Sequence, residues 1–412
     1  MRYRLLALLC LVALIAYIQR AAISVPLARI AADLKVIDVA REMGWVQSAW
    51  YCGYALLQLP SGWLADRWGS RLAIAVFCTA WSTLTVVTAT ALDYHSLMAI
   101  WFLMGAAQAG IFPCSAKAIG QTFPDLERAR ASGLLACGMA VGGALAPLLT
   151  GALLQYPQPW PVVWDWRVIL GIYGVLGLLW VPLFLSLIPA GAMDGHAPVS
   201  QQVRVDWTRL MKSPSLALLC SQQFLRAAGM VFFLTWFPTY LQKTRGVTAL
   251  ESGVLTFYAG MGGVLGSLLG GFASDALLAR TGNRRLSRQG IAVVGMACCS
   301  ALIVASFFIE DTHLAMATIS LGAFCATCGG VSGYTVAIEF GGKHVGTVFS
   351  TMNMCGNIGA MLFPITAGWL VATTNNWNLA LFLFAVIMAI DAVCWAMLNP
   401  QGTLFGEKDD AR

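Results

Sequence analysis

The sequence predicts an all-α membrane protein whose twelve transmembrane helices form two six-helix bundles. Three observations lead to this fold class. Hydrophobic residues make up 58% of the 412 residues and charged residues only 11%, with a mean hydropathy of +0.73, whereas soluble domains are roughly one-quarter charged. Twelve apolar stretches are long enough to span a bilayer. One polar loop also recurs half a chain apart.

The twelve apolar stretches follow one another with short polar turns between them. A bilayer offers no water to backbone N–H and C=O groups, so each stretch is predicted to be a helix. The predicted spans are 4–30, 46–65, 72–91, 96–122, 132–155, 168–189, 215–241, 251–279, 289–309, 313–338, 346–371 and 378–398. The predicted domains are a first bundle at 1–190, a cytoplasmic linker at 191–214, a second bundle at 215–400 and a tail at 401–412.

Charge placement predicts the orientation, because short loops rich in Lys and Arg stay in the cytoplasm. With a cytoplasmic N-terminus, sixteen Lys and Arg residues fall on the inner side and six on the outer side. The net charge of +6 therefore indicates topology, and no nucleic-acid partner is expected, since such a surface needs clustered cations on a soluble face. We expect a monomer in the cell inner membrane with both termini in the cytoplasm.

Neither a metal site nor an enzyme active site is expected. The twelve cysteines, including the Cys325 and Cys328 pair, all fall inside apolar stretches, where cysteine behaves as a small buried hydrophobe. The four histidines lie at loops or predicted helix ends, and no paired nucleophile and base or metal-binding motif occurs. We therefore expect no cofactor and no catalysis.

A repeated loop divides the chain. Gly62 to Arg71 follows the second apolar stretch, and Gly271 to Asp275 follows the eighth, which leaves Asp66 and Asp275 209 positions apart. Secondary transporters are often built from two such repeated halves, with the substrate bound between them near the bilayer midplane.

The Gly62 to Arg71 loop resembles the signature loop of the major facilitator superfamily, and the resemblance extends over the whole chain. Further segments resemble its anion:cation symporter branch, namely Tyr17 with Arg20, Gln58-Leu59-Pro60, Phe123-Pro124 with Glu127-Arg128, Phe232 to Pro238, and Asn353 with Gly356-Asn357. The resemblance implies alternating access and a small organic anion as substrate, such as a hexuronate, aldonate, aldarate or other carboxylate.

The signature loop is predicted to act as a conformational latch. Asp66, placed at a cytoplasmic helix end near a neighbouring helix N-terminus, can make charge-assisted contacts in only one transport state. The residues assigned to this latch are Gly62, Asp66, Arg67, Gly69, Arg71 and, in the second copy, Asp275. The alternative is a solvated loop that only follows the charge rule for cytoplasmic loops.

Two arginines in the membrane mark the expected substrate site. Arg20 and Arg226 lie in the first helix of each half, without an acid in their own helices. A buried cation without a partner is costly, so a carboxylate held by the guanidinium fork is the expected partner. In this fold the first helices line the central cavity, which assigns both arginines to one site. The alternative is hydrogen bonding to neighbouring backbone, or snorkelling.

Neutral polar residues on the same predicted helices complete the site. Tyr54, Gln108, Gln223, Asn353 and Asn357 are expected to orient the rest of the substrate. Each of them can instead pack or hydrogen-bond between helices.

The chain departs from its resembling branch where protons are usually coupled. The carriers show an acid before the helix 1 arginine and an arginine and then an acid in helix 4, whereas this chain has Gln19, Trp101 and Gln108. An amide does not titrate, so this proton route is predicted to be absent. Asp391 and Glu339 remain candidates for coupling H⁺ or Na⁺, and exchange or uniport stays open. A non-transporting, substrate-sensing receptor is the rival function, against which the short termini argue.

Overall fold

The computed structural model describes residues 1–123, 125–155, 165–189, 191, 212–341 and 345–400. All regular structure in these ranges is helical. The helices are α1 Arg2–Ala21, α2 Leu27–Asp33, α3 Val39–Trp68, α4 Ser70–Thr88, α5 Tyr94–Gln108, α6 Ile111–Thr122, α7 Asp125–Gln155, α8 Trp166–Leu187, α9 Pro214–Thr235, α10 Phe237–Thr244, α11 Ala249–Thr281, α12 Ile291–Ser306, α13 Thr312–Gly341, α14 Val345–Thr374 and α15 Asn378–Met397.

The predicted all-α membrane fold class is confirmed. Within the described chain, eleven helical segments are long and apolar enough to cross a membrane, from Arg2–Ser24 to Asn378–Met397. The remaining predicted span, 46–65, falls inside α3, which is longer than predicted at 30 residues. Its extra first turns are polar and begin at Asp38, whose side chain accepts a hydrogen bond from the Arg41 N–H at 3.0 Å. Hydropathy detects only the apolar part of a helix, so it misses the polar turns that a capping residue such as Asp38 begins.

Three predicted spans are interrupted. The first continues from α1 into a short 3₁₀ turn, Ala22–Ser24, and the fourth breaks between α5 and α6. The seventh ends at α9, and α10 follows immediately with Pro238 in its first turn. Proline disfavours helical geometry in the preceding residue and supplies no N–H, so the helix is interrupted just before it.

Contacts divide the chain into two units. Unit 1 comprises Met1–Val199, Leu234–Phe257 and Pro364–Asn375, and unit 2 comprises Ser200–Phe233, Tyr258–Phe363 and Asn376–Arg412. In unit 1, α1 packs on α7, α3 on α5 and α4 on α8, while in unit 2 α12 packs on α13 and α15. The division of the sequence into bundles at 1–190 and 215–400 stays a prediction.

Candidate functional site

Arg20, in the last turn of α1, is surrounded by aromatic rings of unit 1. Its Cζ lies 3.9 Å from the ring centroid of Trp50, 4.6 Å from that of Tyr51 and 5.3 Å from that of Tyr17. All three distances fall within the range of cation–π attraction. Aromatic faces therefore stabilise this cation inside the protein, and the expected carboxylate partner stays a prediction. Its Nε atom, however, is buried without a hydrogen-bond partner among the described residues.

Arg20 lines a small cavity inside unit 1. Ile23, Gln47, Trp50, Tyr51, Trp101, Leu234 and Thr235 form the rest of its lining. The wall thus combines one cation, three aromatic rings, a single carboxamide, the hydroxyl groups of Tyr51 and Thr235, and two aliphatic side chains. Such a mixture of apolar surface and a few polar groups is typical of small-molecule sites.

Several polar atoms of this lining are buried and lack partners. Gln47 is only 2% exposed, and neither Oε1 nor Nε2 of its amide has a hydrogen-bond partner in the described part of the chain. The same holds for Nε1 of Trp50 and Nε1 of Trp101. Folded proteins leave few buried polar groups unsatisfied, and each calls for an explanation. A bound ligand would satisfy these atoms.

The predicted site does not include the lining residues Gln47, Trp50 and Tyr51, although the sequence contains a signal for them. With Tyr54 they occupy positions i, i+3, i+4 and i+7 of α3, which form one face of a helix. Tyr54 stacks on Trp50 with ring centroids 5.1 Å apart. It is not among the described lining residues of the cavity, so it supports the indole from behind.

Close helix packing positions the two tryptophans. Gly105 of α5 packs against the backbone of Trp50, at a distance that leaves no room for a side chain. The α5 helix thereby approaches α3 closely, and Trp101, one turn before Gly105, lines the cavity together with Trp50. Adding a methyl group at Gly105 would separate the two indoles.

Gln108 and Gln19 act as ties between helices in the structure. Gln108 is buried, and its Nε2 donates to the backbone carbonyl of Ala16 on α1 at 3.2 Å. Gln19 is also buried and donates to the carbonyl of Tyr173 on α8 at 2.7 Å. The amide nitrogen of Gln108 thus makes a hydrogen bond between two helices, which was the alternative to substrate binding for this residue.

Arg226, on α9 in unit 2, has a polar environment of its own. Its NH2 donates to Gln223 Oε1 at 2.6 Å and to Tyr334 Oη at 3.0 Å, and its Cζ lies 5.1 Å from the Tyr334 ring centroid. Tyr334, on α13, was not expected from the sequence. Because Arg20 and Arg226 belong to different units, their assignment to one joint site stays a prediction.

The predicted asparagines lie on α14, beside the helix that carries Arg226. Gly356 packs on Gln223 so closely that an added Cβ would lie 3.0 Å from Gln223 Cγ. Asn353 and Asn357 stand three positions before and one position after Gly356 on the same helix. This segment of α14 therefore packs against Gln223 through Gly356, and the structure describes no direct bond from Asn353.

Asp391, on α15, is a fully buried carboxyl. Both of its oxygens lack a hydrogen-bond partner within the described ranges. Helices α9 and α15 run antiparallel, since Gly229 packs against Met388 while Phe232, further along α9, stacks on Phe384, 5.9 Å away and earlier in α15. Arg226 lies one turn before Gly229 in α9, and Asp391 lies one turn after Met388 in α15. This register places the two charged residues at the same level.

Arg288 joins two of the predicted residues in unit 2. It donates to Ser274 Oγ at 2.6 Å and to Asp275 Oδ1 at 2.8 Å, and its Nε lies 3.5 Å from Glu339 Oε1. A π-helical turn, Arg285–Gly290, leads directly into α12 and leaves the Arg288 side chain only 7% exposed. Asp275 and Glu339 thus share one ion cluster.

The signature loop is described in part. Gly69 joins α3 to α4 with φ +78°, a conformation that favours glycine. Arg71 donates to the carbonyls of Ile188 at 2.6 Å and Leu185 at 2.8 Å, which lie at the end of α8, and Arg67 is exposed. Gly62 and Asp66 lie on α3, with side chains outside the described residues. The latch itself stays a prediction.

Comparison with known proteins gives one consistent set of matches. The family model described as Major Facilitator Superfamily matches residues 9–338 and 259–404. The "Probable sulfoacetate transporter SauU" of Cupriavidus necator is 27% identical over 98% of this chain and 95% of its own length. The "D-galactonate transporter" of Escherichia coli is 28% identical over 96% of this chain and 95% of its own. A solved bacterial homolog of the human lysosomal transporter Spinster, inward-facing and occupied, has the same fold, with a TM-score of 0.81, 19% identity and 96% coverage of each chain.

Proposed function

Because the chain belongs to the major facilitator superfamily, we propose that it is a secondary active transporter that moves a small organic anion across the cell inner membrane by alternating access. The names of two relatives specify sulfoacetate and D-galactonate, and both of these anions carry a carboxylate. The observation that carries the proposal is Arg20, a cation at a buried cavity where Gln47, Trp50 and Trp101 hold polar atoms without partners among the described residues. A carboxylate would neutralise the arginine and accept from those donors.

We assign the carboxylate of the substrate to Arg20. The Arg226, Gln223, Asn353 and Asn357 group is assigned to the remainder of the substrate, which its mixture of donors and acceptors suits. Tyr54 and Gln108 contribute indirectly, since one supports the Trp50 ring and the other ties α5 to α1. Gly62, Asp66, Arg67 and Gly69 keep their proposed part in the latch, with Arg71 as an anchor to α8.

Ion coupling is assigned to Asp391. Its buried carboxyl lacks a hydrogen-bond partner among the described residues, and ionisable residues inside membrane helices often serve ion or proton pathways. Glu339 is a weaker candidate because Arg288 already pairs with it. We propose proton symport, with Na⁺ symport, exchange and uniport as the outcomes that coupling measurements would distinguish.

The protein is further proposed to work as a monomer, without a cofactor or catalysis, and with both termini in the cytoplasm. Support for the orientation comes from the excess of Lys and Arg in the predicted inner loops. Its partners are then the lipid bilayer, the organic anion and the coupling ion.

Uptake by the purified full-length chain in proteoliposomes tests the transport function. Labelled D-galactonate and sulfoacetate are offered outside, with and without an inward proton gradient, and empty liposomes serve as the control. We expect at least one anion to accumulate with the gradient and to exchange without it. Binding without uptake or exchange would instead identify a substrate-sensing receptor.

A further inference from the structure

The cavity beside Arg20 contains a hydrogen-bond acceptor that a carboxylate cannot satisfy. The guanidinium group and the indoles of Trp50 and Trp101 can only donate, and each suits an anionic oxygen. Gln47 Oε1 can only accept, and it is buried without a partner among the described lining residues. A ligand that bears a carboxylate alone would leave this oxygen unsatisfied.

From this donor and acceptor pattern we infer that Gln47 is a specificity-determining residue, which selects anions carrying a hydroxyl group beside the carboxylate. The hydroxyl donates its proton to Gln47 Oε1 and accepts from Gln47 Nε2 in turn. Both orphan atoms of the amide are then paired by one group of the ligand, whichever way the amide is oriented. This inference rests on the proposed function, since it refines the substrate of the same site.

The lining of the cavity narrows the ligand further. A guanidinium group, two indole donors and one carboxamide at the same cavity match a carboxylate with a neighbouring hydroxyl group. The chemistry therefore fits a hydroxycarboxylate, or the hydroxycarboxylate end of a longer sugar acid. Sulfoacetate has two anionic groups and no hydroxyl, so it is the poorer fit.

The energetic argument is the cost of an unsatisfied buried group. A ligand without the hydroxyl desolvates the Gln47 amide and leaves its oxygen unpaired, which corresponds to roughly a tenfold to hundredfold loss of affinity. Sites built around a hydrogen bond to a substrate hydroxyl reject the analogue that lacks it for this reason.

Matched ligand pairs test the inference on the full-length protein in lipid nanodiscs. Calorimetric affinities are compared for glycolate against acetate and for D-galactonate against its 2-deoxy analogue, with sulfoacetate as the probe that cannot donate. We expect at least one hydroxylated member to bind roughly tenfold to hundredfold more tightly than its partner. Sulfoacetate is expected to bind no better than the deoxy acids.

Two substitutions assign the preference to Gln47. Gln47→Met keeps the side-chain length and removes both polar atoms. The ratio of the affinities for the hydroxylated and the deoxy acid should therefore fall close to one, while the deoxy acid keeps its affinity. Gln47→Glu retains an acceptor, so the preference should persist although overall anion affinity falls. Gln19→Met is the matched control: it also removes a buried amide of unit 1, one that bonds to Tyr173, and should leave the preference unchanged.

The outcomes separate this inference from the function on which it rests. Arg20-dependent binding with equal affinity for hydroxylated and deoxy acids would overturn the role of Gln47 and leave anion transport standing. A preference that survives Gln47→Met would overturn it as well. Absence of binding for every anion would overturn the transport proposal together with the inference.

Discussion

The two membrane-embedded arginines, Arg20 in unit 1 and Arg226 in unit 2, differ in what surrounds their guanidinium groups. Arg20 lies against aromatic rings, the nearest 3.9 Å away. Arg226 donates hydrogen bonds to a glutamine and a tyrosine. Aromatic faces stabilise a charge without occupying N–H groups, whereas each hydrogen bond occupies one. The NH2 group of Arg226 is therefore engaged, while Nε of both arginines has no partner among the described residues. Two arginines, each in the first helix of its predicted half, therefore differ in how many N–H groups remain for an anion.

Substitution of the two arginines should show the largest difference. We expect Arg20→Ala to abolish measurable anion binding and uptake, and Arg20→Lys to retain little, because the fork geometry is lost. Arg226→Ala should weaken binding by a smaller factor and retain detectable uptake. Calorimetry and proteoliposome uptake measure both effects. Uptake at the wild-type rate by the Arg20→Ala variant would remove this residue from the site.

The carboxyl beside Arg226 should control coupling rather than binding. We expect Asp391→Asn to abolish accumulation driven by a proton gradient while substrate counterflow, which needs no net ion movement, continues. Counterflow by the Asp391→Asn variant should vary little between about pH 6 and 8, because the amides at Gln19, at Gln108 and at the substituted position do not titrate.

A matched control for Asp391 is Glu339→Gln, which removes a carboxylate already paired with Arg288. This variant should keep its proton-driven accumulation. If stoichiometric proton uptake persists with both carboxyls neutralised, the assignment to helix α15 is wrong.

Arg288 is a third buried arginine, and it extends the contrast because its partners are acids. Breaking a buried ion pair by removing one partner costs about 3–5 kcal/mol, although Asp275 is largely exposed, which places the expected loss for Arg288→Met near the lower end. The free energy of unfolding in detergent measures this loss. An unchanged unfolding free energy would show that the cluster is already solvated.

The smallest predicted effects distinguish ligand-binding groups from structural ones. Trp50→Phe keeps a ring beside Arg20 but removes Nε1, so it should weaken anion affinity severalfold with little change in stability.

Tyr334→Phe removes the hydroxyl that accepts from Arg226, so it should lower the unfolding free energy by about 1 kcal/mol and barely change affinity. The reverse pattern would exchange the roles given to the two arginines.

The fold was predictable because lipid leaves so few alternatives for the backbone. Each predicted span coincides with helical structure, and the principal error, at the start of α3, concerns a polar capped turn. The burial of Arg288 was not predictable, since a π-helical turn shifts the side chain relative to ordinary helical spacing. Hydropathy cannot register such a local change.

The site was predictable for its charges and much less so for their surroundings. Arg20 and Arg226 stand out because cations are rare in membrane helices. Gln47, Trp50 and Trp101 do not, since an amide and two indoles on helices usually pack or sit at interfaces. They are identified only because their polar atoms lack hydrogen-bond partners, and this depends on which residues lie close together in the folded structure. Tyr334 was missed for the same reason, as it is distant in sequence from Arg226.

The distribution of thiols gives the protein a built-in reporter of melting. Cys78, Cys114 and Cys299 are fully buried, while Cys298 is exposed. A dye that fluoresces on reacting with a thiol would label the three buried cysteines only as the helices separate. The native sequence can therefore be screened for stabilising compounds by the temperature at which fluorescence rises, without an added tag or an engineered label.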